Sequence, residues 1–294
     1  MFSVRFPRSS GLLLHPTSLP GPFACGDLGP AADAFVDFLA AAGQSLWQVL
    51  PLGPTGFGDS PYQCFSAFAG NPMLVSPTRL LEDGLLHRDD LSRLPGRRAA
   101  AVDYGDATAG AALLANMLAE RLPAHALRGE LEAFRAHHPW LADYARFMAI
   151  REAHDGAHWS DWPAPLRARE PAALAEVTRT LGARIFAHEA MQWAFARQWA
   201  RVRRHAHARG IAILGDAPIF VAHDSAEVWA HPELFALDAS GKPTGVAGVP
   251  PDYFSETGQL WGNPLYAWEV HEARGFDWWI ARLRAALRCC DLVR

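Results

Sequence analysis

Short apolar segments alternate with one amphipathic helix near the start of the chain. Residues 12–14 predict a short strand, and residues 31–42 predict a helix that ends before Gly43. Residues 46–50 then predict a buried strand, which ends at Pro51. The apolar positions that recur at helical spacing are Phe35, Phe38, Leu39 and Ala42. A strand, a helix and a strand within about 40 residues form a βαβ unit, which predicts a parallel sheet.

The hydropathy pattern changes after these elements. Residues 52–80 are typical of a long loop, whereas residues 110–207 are rich in Ala, Leu, Arg and Glu and predict helices. Residues 211–214 predict a third strand, and residues 291–294 predict the start of a fourth. Between them the pattern predicts another amphipathic helix. Its apolar stripe consists of Phe276, Trp279, Ile280, Leu283 and Leu287.

These elements place the chain in the α/β class. A closed (β/α)8 barrel contains eight parallel strands, whereas the pattern predicts three strands and the start of a fourth. The chain is therefore either a small open sheet with helical insertions or the front part of a larger barrel.

Charge and cysteine content narrow the possible partners and compartments. The 294 residues include 27 basic and 31 acidic side chains, a net charge of −4, so no strong positive field favours nucleic acid. Four cysteines do not make a disulfide framework in a chain of this length. No apolar run approaches the length of a membrane span. We therefore expect a cytoplasmic protein with neither a nucleic-acid nor a membrane partner.

The common cofactor and metal motifs are incomplete. Lys242 is the only lysine and lies between Gly241 and Pro243, which excludes a P-loop. H-E-x-x-H patterns begin at His188 and at His271, but each lacks its second histidine. We therefore expect no cofactor and no metal site.

A loop rich in proline and glycine, residues 51–72, follows the second predicted strand. Its polar and aromatic residues include Asp59, Ser60, Tyr62 and Gln63. Loops that follow barrel strands build active sites, so this loop is well placed for one. A tightly packed structural connection explains the same composition equally well.

Asp216 directly follows the third predicted strand, where a barrel presents functional residues. Asp224 and Glu227 lie nearby, but their spacing fits a capping pair for a helix that begins at Ser225. We therefore interpret Asp216 as functional and the other two carboxylates as structural.

Aromatic and polar side chains alternate in residues 248–266. The rings are Tyr253, Phe254, Trp261 and Tyr266, and the polar residues are Asp252, Glu256, Gln259 and Asn263. Rings that stack on sugar faces, together with carboxylates and amides that bind hydroxyl groups, are typical of a polyol pocket. Composition alone slightly favours the alternative, in which the rings cover the sheet.

Six longer segments are specific enough to indicate a protein family. They are LHPTSLP (14–20), QVLPLGPTGFGDSPYQ (48–63), SAFAGNP (66–72), GDAPIFV (215–221), DSAEVWAHPELF (224–235) and GVPPDYFSETGQLWGNPLY (248–266). These segments closely resemble the 4-α-glucanotransferases called amylomaltases. The resemblance extends over nearly the whole chain and is looser between residues 85 and 180.

The resemblance implies a (β/α)8 TIM barrel of the α-amylase clan, with helical insertions and no separate β-sandwich domain. It implies cofactor-free transfer of α-1,4-glucan segments between maltooligosaccharides, with retention at the anomeric carbon. In such a reaction one carboxylate forms a covalent glycosyl-enzyme. A second carboxyl group, about 5 Å away, acts first as acid and then as base.

The resemblance also assigns residues near the reacting sugar. Tyr62 matches the active-site tyrosine that lines the subsite of this sugar, and we include the nearby Ser60 as a substrate-binding candidate. Asp216 matches the aspartate after the third strand. Arg294 matches the arginine two positions before the nucleophile in the family pattern R-[IV]-D-H. We therefore expect Asp216 and Arg294 to support catalysis, with the nucleophile and the acid/base outside the sequence given.

Further matches concern the bound glucan. Tyr253 and Phe254 match the mobile aromatic loop on the acceptor side, and Trp261 matches a further ring that contacts glucan. Asp252, in the same loop, is included as a substrate-binding candidate. Phe57 stands where many relatives carry tyrosine, which implies that a hydrogen bond to a second bound glucan is lost.

The resemblance divides the chain into three segments. Residues 1–52 contain the first barrel strands and helix, and residues 53–205 contain the substrate loop and a mostly helical insertion. Residues 206–294 contain the third strand, the aromatic glucan-binding loop and the start of the fourth strand. We expect the N-terminal portion of such an enzyme, inactive by itself. We also expect low stability, because unpaired strand edges and one face of the core would be exposed.

Two other functions fit parts of the sequence. A non-catalytic protein that binds maltodextrin would use Tyr62, Tyr253, Phe254 and Trp261 as binding platforms. A protein-interaction module could be built on residues 110–207, although their Arg and Glu residues are typical of an ordinary solvated face. The sequence does not identify a protein partner.

Overall fold

The computed structural model of the protein describes residues 8–97 and 101–294. The strands are β1 (Gly11–Leu13), β2 (Leu46–Gln48), β3 (Ala212–Gly215), β4 (Val246–Val249), β5 (Gln259–Pro264) and β6 (Leu292–Val293). The helices are α1 (Pro30–Ala41), α2 (Pro77–Glu82), α3 (Arg88–Leu91), α4 (Tyr104–Arg121), α5 (Arg128–His137), α6 (Trp140–Ala153), α7 (Ala164–Arg167), α8 (Pro171–Thr180), α9 (Gly182–Ala208), α10 (Ala226–Ala230), α11 (Trp268–Ala273) and α12 (Asp277–Cys289).

Four strands form one parallel sheet in the order β1-β2-β3-β6. Leu12 pairs with Trp47, and Trp47 pairs in turn with Ile213. On the other side of β3, Gly215 pairs with Val293. The predicted parallel sheet, with three strands and the start of a fourth, is thereby confirmed. The strand bounds differ from the predicted ones by at most two residues.

The strand β1 forms an edge of this sheet, and its apolar side chains Leu12 and Leu13 are exposed. The helix α1 connects β1 to β2, and α2–α9 lie between β2 and β3. The division of the chain after residues 52 and 205, the incomplete barrel and the low stability stay predictions.

The buried face of α1 differs from the predicted one. Ala32, Val36 and Leu39 are fully buried, whereas Phe38 is exposed and Ala42 caps the C-terminus of the helix. Apolar residues occur on more than one side of α1, so spacing alone does not identify its inner face. Contact with β2 and α9 selects it.

The helix α9 is 27 residues long and packs against α1, α4, α5 and α6. Two buried glutamines on α9 hold the long segment that follows β2. The Gln192 amide accepts a hydrogen bond from the Gly70 N–H at 2.7 Å and donates one to its carbonyl at 2.8 Å. Gln198 makes the same pair of bonds with Ser76, at 2.7 and 3.1 Å. This segment therefore satisfies buried backbone groups without belonging to a sheet.

Two large apolar clusters form most of the core. One surrounds Trp47 and includes side chains from the sheet, α1, α4 and α9. The other surrounds Trp229 and includes Tyr144 and Phe147 from α6. Edge-on ring contacts such as that between Trp47 and Trp199, with centroids 6.1 Å apart, show that much of the aromatic content is structural.

The apolar stripe predicted for α12 faces outward. Its exposed members are Phe276, Ile280, Leu283 and Leu287, and Trp279 is half-buried. The buried face instead contains Trp278 and Arg282. The pattern missed this face because it counts arginine as polar, although its side chain can be buried when its donors find partners.

None of the helices in residues 8–97 and 101–294 combines the length and the apolar composition that crossing a bilayer requires.

We predict that Gln192→Leu lowers the free energy of unfolding by about 2 kcal/mol, because the Gly70 N–H and carbonyl would stay buried without partners. Urea unfolding followed by circular dichroism measures this change. Gln44→Leu is the matched control, since the Gln44 side chain makes one exposed bond to the Ala42 carbonyl. Equal losses in the two variants would contradict the role assigned to Gln192.

Candidate active site

The carboxyl ends of β2, β3 and β6 lie at the same edge of the sheet, because these strands are parallel. Asp216 is the residue after β3, and Arg294 is the residue after β6. The Arg294 N–H donates to the Gly215 carbonyl at 3.0 Å, and the Ala217 N–H donates to the Arg294 carbonyl at 3.3 Å. This backbone pairing continues the ladder and places the two side chains next to each other.

Tyr62, Asp216 and Arg294 form one hydrogen-bonded group. The Tyr62 phenol donates to Asp216 Oδ2 at 2.7 Å. Arg294 Nη2 donates to the same oxygen at 2.8 Å, and Nε donates to Asp216 Oδ1 at 3.3 Å. Arg294 Nη2 is also 3.3 Å from the Tyr62 oxygen. The structure thus brings together the three residues that the resemblance places near the reacting sugar.

The three side chains differ in exposure and charge. The Asp216 side chain is 6% exposed, whereas that of Arg294 is 60% exposed. Burial raises the pKa of the Tyr62 phenol, and the hydrogen bond to Asp216 raises it further. The same carboxylate raises the pKa of the Arg294 guanidinium. At neutral pH the phenol therefore keeps its proton and the guanidinium stays charged.

Backbone hydrogen bonds close the loop that carries Tyr62. The Gly56 N–H donates to the Gln63 carbonyl at 2.7 Å, and the Phe65 N–H donates to the Pro54 carbonyl at 2.9 Å. These bonds form a short hairpin-like connection, so Tyr62 extends over the sheet edge from a closed loop.

Ser60 and Gln63 have supporting contacts on either side of Tyr62. The Ser60 hydroxyl accepts a hydrogen bond from the Tyr62 N–H at 3.3 Å. The Gln63 amide donates to the Trp261 carbonyl at 3.2 Å and to Asn263 Oδ1 at 3.1 Å. Gln63 therefore joins the loop of Tyr62 to β5.

The predicted capping pair of α10 is wrong. Ser225 is the N-cap, and its hydroxyl accepts from the Val228 N–H at 3.4 Å. Asp224 instead pairs with Arg151, whose Nε donates to it at 3.1 Å. The Glu227 carboxylate forms hydrogen bonds with Ser66 and Ala67, which lie outside α10. These long-range partners, which local spacing does not reveal, draw both carboxylates away from the cap.

Glu227 is buried beneath the loop that carries Tyr62. Its carboxylate accepts from the Ser66 hydroxyl at 2.7 Å and from the Ala67 N–H at 2.9 Å. Burial raises the pKa of this carboxyl group. Glu227 is structural, as predicted, but it anchors a loop of the site and does not cap a helix.

The aromatic loop lies between β4 and β5, which pair in antiparallel fashion. Tyr253 and Phe254 are 97% and 87% exposed, and their rings meet edge-on with centroids 5.6 Å apart. Asp252 Oδ1 accepts from the N–H groups of Phe254 and Ser255, both at 2.9 Å. Asp252 therefore shapes the tip of the loop that presents the two rings.

The other two predicted rings have different surroundings. Trp261 is partly exposed, and its indole N–H donates to Gln259 Oε1 at 3.0 Å. Tyr266 is buried, and its hydroxyl donates to the Ile219 carbonyl at 2.8 Å. Tyr266 is thus part of the core. This ring is structural, but it packs against Phe235 and Trp278 in the core rather than over the sheet.

Sequence reasoning missed the supporting contacts of Gln63 and Glu227. Glu227 lies directly between the apolar residues Ala226 and Val228, and an acidic residue with apolar neighbours is the local signal for a buried anchor. Within residues 8–97 and 101–294, no group of three or more His, Cys, Asp or Glu side chains is arranged to hold a metal ion.

Comparison with known proteins assigns the family. The sequence profile described as 4-alpha-glucanotransferase matches residues 14–294. The 4-alpha-glucanotransferase of Thermus thermophilus is 53% identical to this chain over 305 aligned positions, which include 99% of the chain and 58% of the relative. The chain belongs to the 4-alpha-glucanotransferase family. The resemblance inferred from the motifs is therefore confirmed.

Other relatives lead to the same family. The 4-alpha-glucanotransferase of a Synechocystis strain is 51% identical over 98% of this chain and 58% of the relative. The potato relative, named chloroplastic/amyloplastic, is 45% identical over 98% of this chain and 51% of its own length. The chain thus spans between one half and three fifths of the length of these family members.

A solved structure of the family shares the fold. The amylomaltase from Streptococcus agalactiae in complex with acarbose superimposes with a TM-score of 0.94 at 40% identity. The match covers 98% of this chain and 59% of that one. The amylomaltase from Corynebacterium glutamicum, at 18% identity and a TM-score of 0.76, shows the fold alone.

We predict that Asp216→Asn lowers the pKa of Tyr62, because the phenolate would no longer face a carboxylate and would still lie beside Arg294. Burial of the phenol would still oppose this fall of the pKa. Ultraviolet difference titration measures tyrosine ionisation, and Tyr62→Phe identifies the signal. Asp252→Asn, on the exposed loop, should leave the titration of Tyr62 unchanged. A Tyr62 titration that does not move in Asp216→Asn would show that the contact is absent in solution.

Proposed function

We propose that this chain forms part of a 4-α-glucanotransferase active site, which transfers α-1,4-glucan segments between maltodextrins with retention at the anomeric carbon. The observation that carries the proposal is the hydrogen-bonded group of Tyr62, Asp216 and Arg294 at the carboxyl edge of a parallel sheet. The names of the relatives and the acarbose complex of the streptococcal protein support α-glucan oligosaccharides as the ligand class.

We further propose that the parallel sheet is the first part of a (β/α)8 barrel with helical insertions. Two findings support it: the four strands pair in the order in which they occur along the chain, and helices occupy the connections between them. The proposed segments are those expected from the sequence, with the substrate loop and the insertion in residues 53–205.

Asp216 and Arg294 are proposed to support the reaction rather than to attack the sugar. The Asp216 carboxylate is buried and already accepts hydrogen bonds from Tyr62 and Arg294. A guanidinium has five donors, so the exposed Arg294 keeps capacity to orient a further carboxylate. In a double displacement that carboxylate would be the nucleophile, with an acid/base group about 5 Å away.

The exposed rings of Tyr253, Phe254 and Trp261 are proposed to bind glucan on the acceptor side. Their flat, amphipathic faces suit the apolar faces of glucose units. Asp252 and Ser60 would contribute mainly by shaping the loops, because one oxygen of each is already engaged by backbone N–H groups.

Phe57 is proposed to weaken a second glucan contact. Its ring is almost fully exposed at the tip of the loop that carries Tyr62. A phenylalanine ring can stack on sugar, but it lacks the hydroxyl through which a tyrosine would form a hydrogen bond.

We expect the chain to bind maltoheptaose saturably, as measured by isothermal titration calorimetry. The double variant Tyr253→Ala/Phe254→Ala should bind about tenfold more weakly, because two stacking surfaces are removed. Phe38→Ala is the matched control, since it removes an exposed ring from α1, outside the site. Absence of binding by the unaltered chain would contradict the proposed glucan-binding role.

We expect residues 1–294 by themselves to have no transferase activity. The reaction needs two carboxyl groups about 5 Å apart, whereas the group of Tyr62, Asp216 and Arg294 supplies one, which both partners already engage. The test is incubation with maltotriose, with the Thermus thermophilus enzyme as the positive control. Release of glucose together with longer maltodextrins by this chain would overturn the prediction.

The remaining expectations stay predictions: a cytoplasmic location, the lack of a cofactor, and the lack of nucleic-acid and membrane partners. The alternative of a non-catalytic glucan-binding protein receives no support from the relatives named above, all of which carry enzyme names.

A further inference from the structure

A buried arginine on α12 lies beneath two loops of the candidate site. Arg282 is only 4% exposed. Its guanidinium lies over the rings of Trp278 and Trp279, at 5.4 and 5.1 Å from their centroids. Burial of a charge is costly unless its donors find partners. The hydrogen-bond partners of Arg282 therefore indicate the role of this buried side chain.

The partners of Arg282 come from two separate loops. Nη2 donates to the Pro218 carbonyl, and Nη1 donates to the Ile219 carbonyl at 3.3 Å. Nη1 also donates to the Tyr266 hydroxyl at 2.9 Å. That hydroxyl donates in turn to the Ile219 carbonyl at 2.8 Å. One guanidinium thus joins the loop after β3 to the residues that follow β5.

These two loops carry residues of the site. Pro218 lies two positions after Asp216, and Tyr266 lies five positions after Trp261. The Gln63 amide also holds β5, through the Trp261 carbonyl and Asn263 Oδ1. We propose that Arg282 is a positioning residue, which sets the loop of Asp216 against the strand of Trp261. Its consequence for ligand binding rests on the proposed function.

A second buried polar residue, Glu227 on α10, contacts the third loop of the candidate site. Burial raises the pKa of the Glu227 carboxyl group, whereas its hydrogen bonds to Ser66 and Ala67 and the charge of Arg282 lower it. Glu227 in turn holds the loop of Tyr62 through Ser66 and Ala67. Glu227 thus holds the loop of Tyr62, whereas Arg282 holds the loop of Asp216 and the residues after β5.

The geometry requires an arginine rather than any cation. A guanidinium presents donors in a rigid planar fork, whereas a lysine ammonium is a compact charge at the end of a flexible stem. Lysine at position 282 could retain the charge but could not span the Pro218 carbonyl and the Tyr266 hydroxyl together. Methionine would retain the packing against the tryptophan rings and lose every donor.

Hydrogen–deuterium exchange tests the positioning role without any ligand. In Arg282→Met we expect amides in residues 217–222 and 264–267 to exchange at least about tenfold faster, with the β2 amides unchanged. The milder Tyr266→Phe, which removes one hydroxyl, should loosen the same two segments less. Unchanged exchange in both variants, or loosening in only one of the two segments, would overturn the proposal.

Arg79→Met is the matched control for burial of an arginine. Arg79 is 5% exposed and pairs with Asp33 and Glu82, on helices outside the site. This variant should lose stability without faster exchange in the two loop segments. Equal loosening of those segments in Arg79→Met would show that Arg282 acts only on general stability.

Maltoheptaose affinity gives the second readout. We expect about tenfold weaker binding by Arg282→Met, partial recovery in Arg282→Lys and no change in Arg79→Met. Unaltered affinity in Arg282→Met would contradict the positioning role. If the unaltered chain binds no maltoheptaose, the proposed function fails for this chain, and the exchange measurement alone decides the role of Arg282.

Discussion

Parallel hydrogen bonding of β1, β2, β3 and β6 forces the carboxyl ends of these strands to one edge of the sheet. The candidate site depends on that constraint. Asp216 is 154 residues from Tyr62 and 78 residues from Arg294 along the chain, yet both contact its carboxylate. Pairing of β3 with β6 places Arg294, and the loop after β2 places Tyr62.

The segments at this edge contain little regular structure, so buried side chains replace a sheet or helix as partners for their backbone. The Gln192 amide accepts a hydrogen bond from the Gly70 N–H, and the Glu227 carboxylate accepts one from the Ala67 N–H. Arg282 donates to backbone carbonyls after β3. Each of these polar groups is buried and would be costly without its partners. The same bonds that offset this cost also define the positions of the loops.

The site combines a rigid part and an exposed part. Tyr62, Asp216 and Arg294 are tied to one another and to the sheet, whereas Tyr253 and Phe254 extend into solvent on a loop that Asp252 shapes. A rigid polar group suits orientation of a reacting sugar, and exposed rings suit binding of a flexible chain of glucose units. The close superposition on a streptococcal amylomaltase shows that the chain shares the fold of that protein.

The sequence by itself determined the strands of the sheet, their parallel pairing, the position of Asp216 after β3 and the family. These features depend on local hydropathy, on chain order and on long specific motifs. Only the tertiary structure decided that Ser225 caps α10, that Tyr266 is buried and that the apolar stripe of α12 faces outward. It also placed Arg282 and Glu227 in hydrogen bonds with the loops. The physical reason is that their partners lie far away in sequence, and a one-dimensional pattern does not contain the contacts that choose between them.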